Sequence, residues 1–89
     1  MRLQFSADAW DDLQYWIAQD RKMLGRILLL LKECQRTPFT GTGKPEPLRN
    51  ELKGWWSRRI NQEHRLIYRV SGSGDLQLLE VAACRSHYD

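Results

Sequence analysis

The sequence predicts an α+β domain in which an N-terminal strand and a two-helix hairpin pack on one face of a twisted antiparallel sheet. Three observations carry that prediction. Residues 6 to 34 repeat apolar side chains at three- and four-residue spacing, residues 55 to 70 alternate around a short polar turn, and residues 76 to 84 form an apolar run that fits a buried strand. Sequential strands joined by short loops are antiparallel neighbours. At 89 residues, the chain reads as one domain, 1–89, with room for a single core that must supply both stability and function.

The elements follow in order. Arg2 to Phe5 alternate as a short first strand, with Leu3 and Phe5 expected inward. Ser6 is placed to cap a helix, Asp8 sits in its positive first turn, and Phe5 at N′ can meet Trp10 at N4 as a hydrophobic staple. Trp10, Leu13, Trp16 and Ile17 then form the expected core stripe. Asp20 caps a second helix whose stripe, Leu24, Ile27, Leu28, Leu31 and Cys34, runs until Pro38 forbids continuation. The Leu28 to Leu31 run is wider than one stripe, so this helix is expected to touch something on a second side; a homodimer is one way to satisfy it.

Residues 38 to 47, PFTGTGKPEP, exclude helix and central strand. Prolines on both sides of Glu46 restrict its backbone to extended or turn geometry, which presents the carboxylate on a stiffened loop. WWSRRI (55–60) leads through Asn61-Gln62-Glu63 into HRLIYRV (64–70), a hairpin separating Leu66, Tyr68 and Val70 from Arg65, Ile67 and Arg69. One of Trp55 and Trp56 must then face the core and the other the opposite surface. SGSGD (71–75) turns the chain into LQLLEVAACRSHYD, whose polar end carries His87 and Tyr88. Chain ends fray unless held by the core, and this strand is apolar enough to be held. His64 reads as a polar residue at the hairpin edge.

Composition narrows the function classes. No stretch approaches the roughly 20 apolar residues of a membrane span, and no signal-peptide pattern opens the chain, so a cytoplasmic location is expected. Cys34 and Cys84 lie in apolar segments and read as small buried hydrophobes rather than a disulfide. Residues 44 to 69 hold seven Lys or Arg against three Glu, so this segment carries more than the whole chain's net charge of +3. Such a basic segment is the footprint of a phosphate-bearing or acidic partner.

Glu46, Arg65, His87 and Tyr88 make an acid–base set. RNA supplies its own nucleophile in the 2′-hydroxyl; cleavage needs a base for that proton, an acid for the leaving 5′-oxygen and cations for the phosphorane. No metal or other cofactor is expected. Two histidines without paired carboxylates or Cys-x-x-Cys do not form a metal-ligand set of normal spacing.

Three motifs in order, GTGKPEPL (41–48), GWWSRRINQEHRLIYRV (54–70) and AACRSHY (82–88), resemble the YoeB (Txe/YoeB) toxins, a branch of the RelE-like bacterial ribonucleases. The opening strand and Trp-rich helix match as well, so the resemblance spans essentially the whole chain. It implies the RelE-like microbial ribonuclease fold and a ribosome-dependent messenger RNA endonuclease of a type II toxin–antitoxin pair, cutting codons in the A site. It further implies contacts with ribosomal RNA, neutralisation by a YefM-like antitoxin, and promoter DNA reached only through the antitoxin complex. By the same resemblance Glu46 is the general base, Arg65 stabilises the phosphate, His87 is the general acid and Tyr88 orients substrate; Lys44, Arg49, Arg59 and Glu63 form the supporting set.

Two departures stand at the end of the chain. Ser86 replaces the aromatic residue usual before the histidine, which weakens stacking on a base, and Asp89 adds a carboxylate expected to favour imidazolium at His87. Two other readings compete. A ParE-like toxin would block its target without chemistry, and a plain RNA-binding module would use His87 and Tyr88 only for stacking; neither requires Glu46.

Overall fold

The computed structural model describes residues 1–85. Among them, strand β1 (Arg2–Phe5) is followed by helices α1 (Ala7–Gln19) and α2 (Arg21–Arg36), then strands β2 (Glu46–Pro47), β3 (Trp56–Arg59), β4 (Arg65–Ser71) and β5 (Leu78–Ala83). The strands form one sheet in the order β1-β5-β4-β3-β2. Strands β3 to β5 are antiparallel neighbours as expected and β2 adds antiparallel to β3, but β1 pairs parallel with β5, from Arg2 opposite Leu78 to Phe5 opposite Val81. The sheet is therefore mixed. Alternation within a strand fixes its faces but says nothing about its sense against a partner reached only after the whole domain has been traversed.

Ser6 begins α1 as expected: its Oγ accepts the Ala9 N–H at 3.0 Å, and Phe5 meets Trp10 edge-on with ring centroids 6.0 Å apart. The buried stripe differs. Ala9, Leu13 and Trp16 face the core, whereas Trp10 is 52% exposed and Ile17 41%. Ala9 takes the inward place because the helix comes within contact of the end of β5 there, with the Cys84 thiol 3.7 Å from the Ala9 carbonyl. Leu3 is also exposed rather than inward, since β1 is an edge strand.

Asp20 caps α2 by accepting the N–H groups of Lys22 and Met23 at 3.1 and 3.2 Å. Its buried face is Met23, Ile27, Leu30, Leu31 and Cys34; Leu28 and Leu29 point outward, at 51% and 71% exposure. A run of four leucines offers several phases of nearly equal hydrophobicity, and packing selects among them. Both helices share one core cluster with Leu66, Tyr68, Leu79, Val81 and Cys84, so they cover the same face of the sheet. Cys34 and Cys84 are buried and free, as expected.

A charged residue lies in that core. Arg58 is fully buried on the helix face of β3 and donates from Nη1 to Glu33 at 2.9 Å and to the Thr42 carbonyl at 3.2 Å. From Nη2 it donates to the carbonyls of Thr40, at 2.8 Å, and Thr37, and from Nε to the Tyr68 hydroxyl at 3.2 Å. The hydroxyl in turn donates to the Pro38 carbonyl at 2.5 Å. A buried guanidinium is tolerable only when paired and hydrogen-bonded, and this one satisfies the turning backbone of residues 37 to 42 in return.

Candidate active site on the far face of the sheet

The site forms on the face opposite the helices, and the register builds it row by row. Directly opposed residues on neighbouring strands share a face, as do alternate residues along a strand. Glu46 opposes Ser57, Ser57 opposes Ile67, and Ile67 opposes Ala83, which makes one row across four strands. Arg59 opposes Arg65 in the next row, a basic pair. On the other side Arg69 opposes Glu80, and the Arg69 guanidinium lies 4.5 Å over the ring of Trp55. Ser57, Ile67 and Ala83 are uncharged and buried between these two rows of long side chains.

Local sequence explains each placement. Pro47 has no N–H to give a ladder, so the expected non-strand loop ends in a two-residue strand at the sheet edge, with Glu46 exposed beside it. The preceding turn is closed by the Arg59 N–H bonding the Gly43 carbonyl at 2.7 Å. Gly43 has φ +87°, and a Cβ there would fall 2.8 Å from the Arg59 carbonyl, so only glycine fits. Lys44 follows in a left-handed conformation, φ 52°, and is exposed. Arg65 donates from Nη1 to the carbonyls of Asn61, Gln62 and His64 at 3.0, 3.3 and 3.2 Å, which holds its fork against the β3–β4 turn.

That turn is shaped by Asn61, whose side-chain oxygen accepts the N–H groups of Glu63 and His64 at 2.9 and 2.7 Å. Glu63 is exposed beside the His64 ring, 3.5 Å away. His64 is not a simple edge residue: it is half-buried and packs edge-on against Trp16 at 4.8 Å. Arg49 is exposed at the start of a short 3-10 turn, Asn50–Leu52, beyond β2. The register also separates the two tryptophans. Trp55 lies on the far face with Arg69, while Trp56 packs on the helix face against Phe39, 4.7 Å between rings.

Glu46 and Arg65 thus share a face, two strands and one row apart, which is about 12 Å between Cα atoms on standard sheet spacings. His87, Tyr88, Ser86 and Asp89 lie outside the described residues. The strand that precedes them is β5, and its end is held by contacts from α1 and its cap. A β-bulge leaves Ala82 without an opposite number and turns Ala83 onto the far face opposite Ile67. Ser6 fastens the bulge, taking the Val81 carbonyl with its N–H at 2.9 Å and the Ala82 carbonyl with its hydroxyl at 3.0 Å. Asp12 accepts the Cys84 N–H at 3.0 Å, Trp16 donates to the Cys84 carbonyl at 2.8 Å, and the Arg85 guanidinium stacks 3.5 Å from the Tyr15 ring. Burial pushes the Cys84 thiol up to about 12, with the Asp12 charge adding to the effect, so it stays a neutral thiol.

The sequence pattern did not mark Arg58, Asp12 or Trp16 as supports of this face. Arg58 sits at an inward position of the alternating WWSRRI strand, and that phase was the available signal.

A family model described as the YoeB-like toxin of bacterial type II toxin–antitoxin systems matches residues 5–88. The chain belongs to that toxin family. It is 49% identical over 88 residues to Toxin YoeB of Escherichia coli K12, covering 99% of this chain and 100% of the relative. Among solved structures, a YoeB/ParE toxin from Agrobacterium tumefaciens superposes with a TM-score of 0.95 at 51% identity, over 99% of this chain and all of that one. A Staphylococcus aureus YoeB, 39 to 40% identical, covered over 98% of its length and 99% of this chain, has been solved as a dimer and in complexes with YefM, with TM-scores of 0.86 to 0.88. The protein is accordingly a toxin of a type II toxin–antitoxin system, and its α+β fold is that of the YoeB toxins.

Proposed function

We propose that this YoeB-family toxin is an endoribonuclease that cuts messenger RNA in the ribosomal A site by general acid–base chemistry. The observation that carries the reading is the shared face of Glu46 and the Arg59–Arg65 pair, a carboxylate and two cations around a strip of buried uncharged side chains. The Glu46 carboxylate takes the 2′-hydroxyl proton, the 2′-oxygen attacks the adjacent phosphorus, and the 5′-oxygen leaves with a proton from His87. The products are a 2′,3′-cyclic phosphate and a 5′-hydroxyl. Arg65, with Arg59 opposite it on the sheet and Lys44 and Arg49 flanking Glu46 in the chain, balances the charge gathering on the phosphorane; Tyr88 and Glu63 orient the substrate and the turn. The chain supplies base, acid and cations, and cleavage is expected to survive EDTA.

End-mapping of a message on ribosomes with wild type, Glu46→Gln and His87→Gln tests the reading. Sharp A-site cuts lost by about 10²- to 10⁴-fold in both variants are expected. Cuts unchanged in Glu46→Gln, or persisting on a message with a 2′-deoxy residue at the cleavage point, would leave a blocker or a binding module instead. A ribosomal substrate also places the toxin in the bacterial cytoplasm. We assign its protein partners as a YefM-like antitoxin, through which alone it reaches promoter DNA, and a second copy of itself, by likeness to the S. aureus assemblies. The outward Leu29 lines a cavity of about 550 Å³ with Arg26, Lys32 and Arg36, which supports a protein contact on α2.

A further inference from the structure

We infer that Trp55, held by Arg69 and Glu80, is a stacking platform for the nucleobase that flanks the scissile phosphate. The inference rests on the ribonuclease reading and extends it to a substrate subsite. The basic pair Arg59–Arg65 lies on one side of the Ser57–Ile67–Ala83 strip, and the Trp55–Arg69–Glu80 row lies on the other. Successive rows are about 7 Å apart, so these two outer rows, four residues apart on a strand, are separated by about 13 Å. A single strand that runs from the cations across the strip therefore brings a nearby base to the tryptophan.

The row is built to keep that ring still. Arg69 covers one face of the indole at 4.5 Å, and Glu80 fixes the plane of the guanidinium with two hydrogen bonds, 2.8 Å to Nε and 3.3 Å to Nη2. The same bonds hold the Glu80 carboxyl below its ordinary range and raise the Arg69 guanidinium, so the pair stays ionised at any working pH. Glu80 also neutralises the cation locally. The row then offers RNA an aromatic surface and little net charge, whereas phosphate attraction stays with Arg59 and Arg65. Stacking of this kind tolerates any base because every base has a π-face. Trp55 is thus expected to position the substrate strand on every codon alike, with no part in codon choice. A plain surface ion pair would tie β4 to β5 equally well but would have no dependence on the RNA.

The test pairs protein variants with messages carrying an abasic residue on either side of the cut. On intact message, Trp55→Ala should lower single-turnover cleavage by roughly 5- to 150-fold, the range set by one stacked base. Wild type should lose a similar factor on one of the two abasic messages, and Trp55→Ala should lose nothing more on it. Trp55→Phe, which keeps a ring and the packing beneath it, should recover most of the rate, and Glu80→Gln should fall between. Independent, multiplying losses would overturn the platform, as would a wild type indifferent to both abasic messages while still cutting at the A site. Normal cleavage by Trp55→Ala with weakened capture of a YefM-like antitoxin would overturn it too and give the row to protein recognition. A wild type that cuts no message removes the ribonuclease reading itself, an outcome distinct from any confined to Trp55.

Discussion

Trp16 donates its indole N–H to the backbone carbonyl of Cys84 at 2.8 Å, across 68 residues of sequence. Asp12 takes the N–H of the same residue at 3.0 Å, so α1 grips both polar groups of the backbone just past β5. A core helix thereby fixes the backbone at Cys84, three residues before His87 in the sequence.

Replacing Trp16 with Phe keeps a ring in the core but leaves the Cys84 carbonyl without its donor. The expected loss is about 1–3 kcal/mol of stability. Cleavage should fall beyond what the unfolded fraction accounts for, measured at a temperature where denaturant melts show the variant folded. Activity that merely tracks the folded fraction would confine Trp16 to packing.

Arg58 joins α2, the 37–42 turn and β4 through one guanidinium. Arg58→Met fills similar volume but strands the carbonyls of Thr37, Thr40 and Thr42 and the Glu33 carboxylate. Each carbonyl left without a donor costs about 1–3 kcal/mol, so a loss of about 3 kcal/mol or more is expected, read from the midpoint of urea unfolding. Lysine should not rescue it, because a single ammonium cannot serve acceptors spread around a planar fork.

Glu33 also gives stability a pH dependence. The Thr42 backbone N–H, with help from the Thr42 hydroxyl and Arg58, holds its carboxyl below the ordinary 4.5. A depressed carboxyl contributes its stability in full above 4.5 and loses it as pH falls through the folded value. Unfolding free energy should therefore decline with acid below 4.5, and Glu33→Gln should flatten that decline. Some slope should survive in the variant, since Arg69 depresses Glu80 in the same direction.

Gly43→Ala tests the turn that precedes Glu46. The left-handed backbone alone costs an L-residue about 1–2 kcal/mol. The added Cβ would also press the Arg59 carbonyl from 2.8 Å, so the Gly43–Arg59 closure must open. Reduced melting temperature together with reduced cleavage is expected; full activity would mean that Glu46 is positioned without this turn.

Much of this arrangement was legible in the residues. Caps at Ser6 and Asp20, the stop before Pro38 and the β3–β4 hairpin follow from local chemistry, and each sits where its pattern placed it. Arg65 could be put on the face away from the helices because strand alternation is strict, whereas Glu46, read as a loop residue, joins that face through the β2–β3 register. What local patterns could not reveal depends on distant partners: the parallel seating of β1, the exposure of Trp10 and Leu28, and the burial of Arg58. An arginine in a basic segment looks like a surface cation until five acceptors from three other parts of the chain are known to surround it.

The parallel seam between β1 and β5 has a consequence for synthesis. Arg2 is matched to Leu78, so the first strand waits for nearly the whole polypeptide before it has a neighbour. Helices can form early from short-range contacts, but closing such a distant pairing is slow and comes last. A growing chain therefore carries the toxin's helices before its sheet is complete, and a cell gains the interval of translation before the toxin is fully assembled.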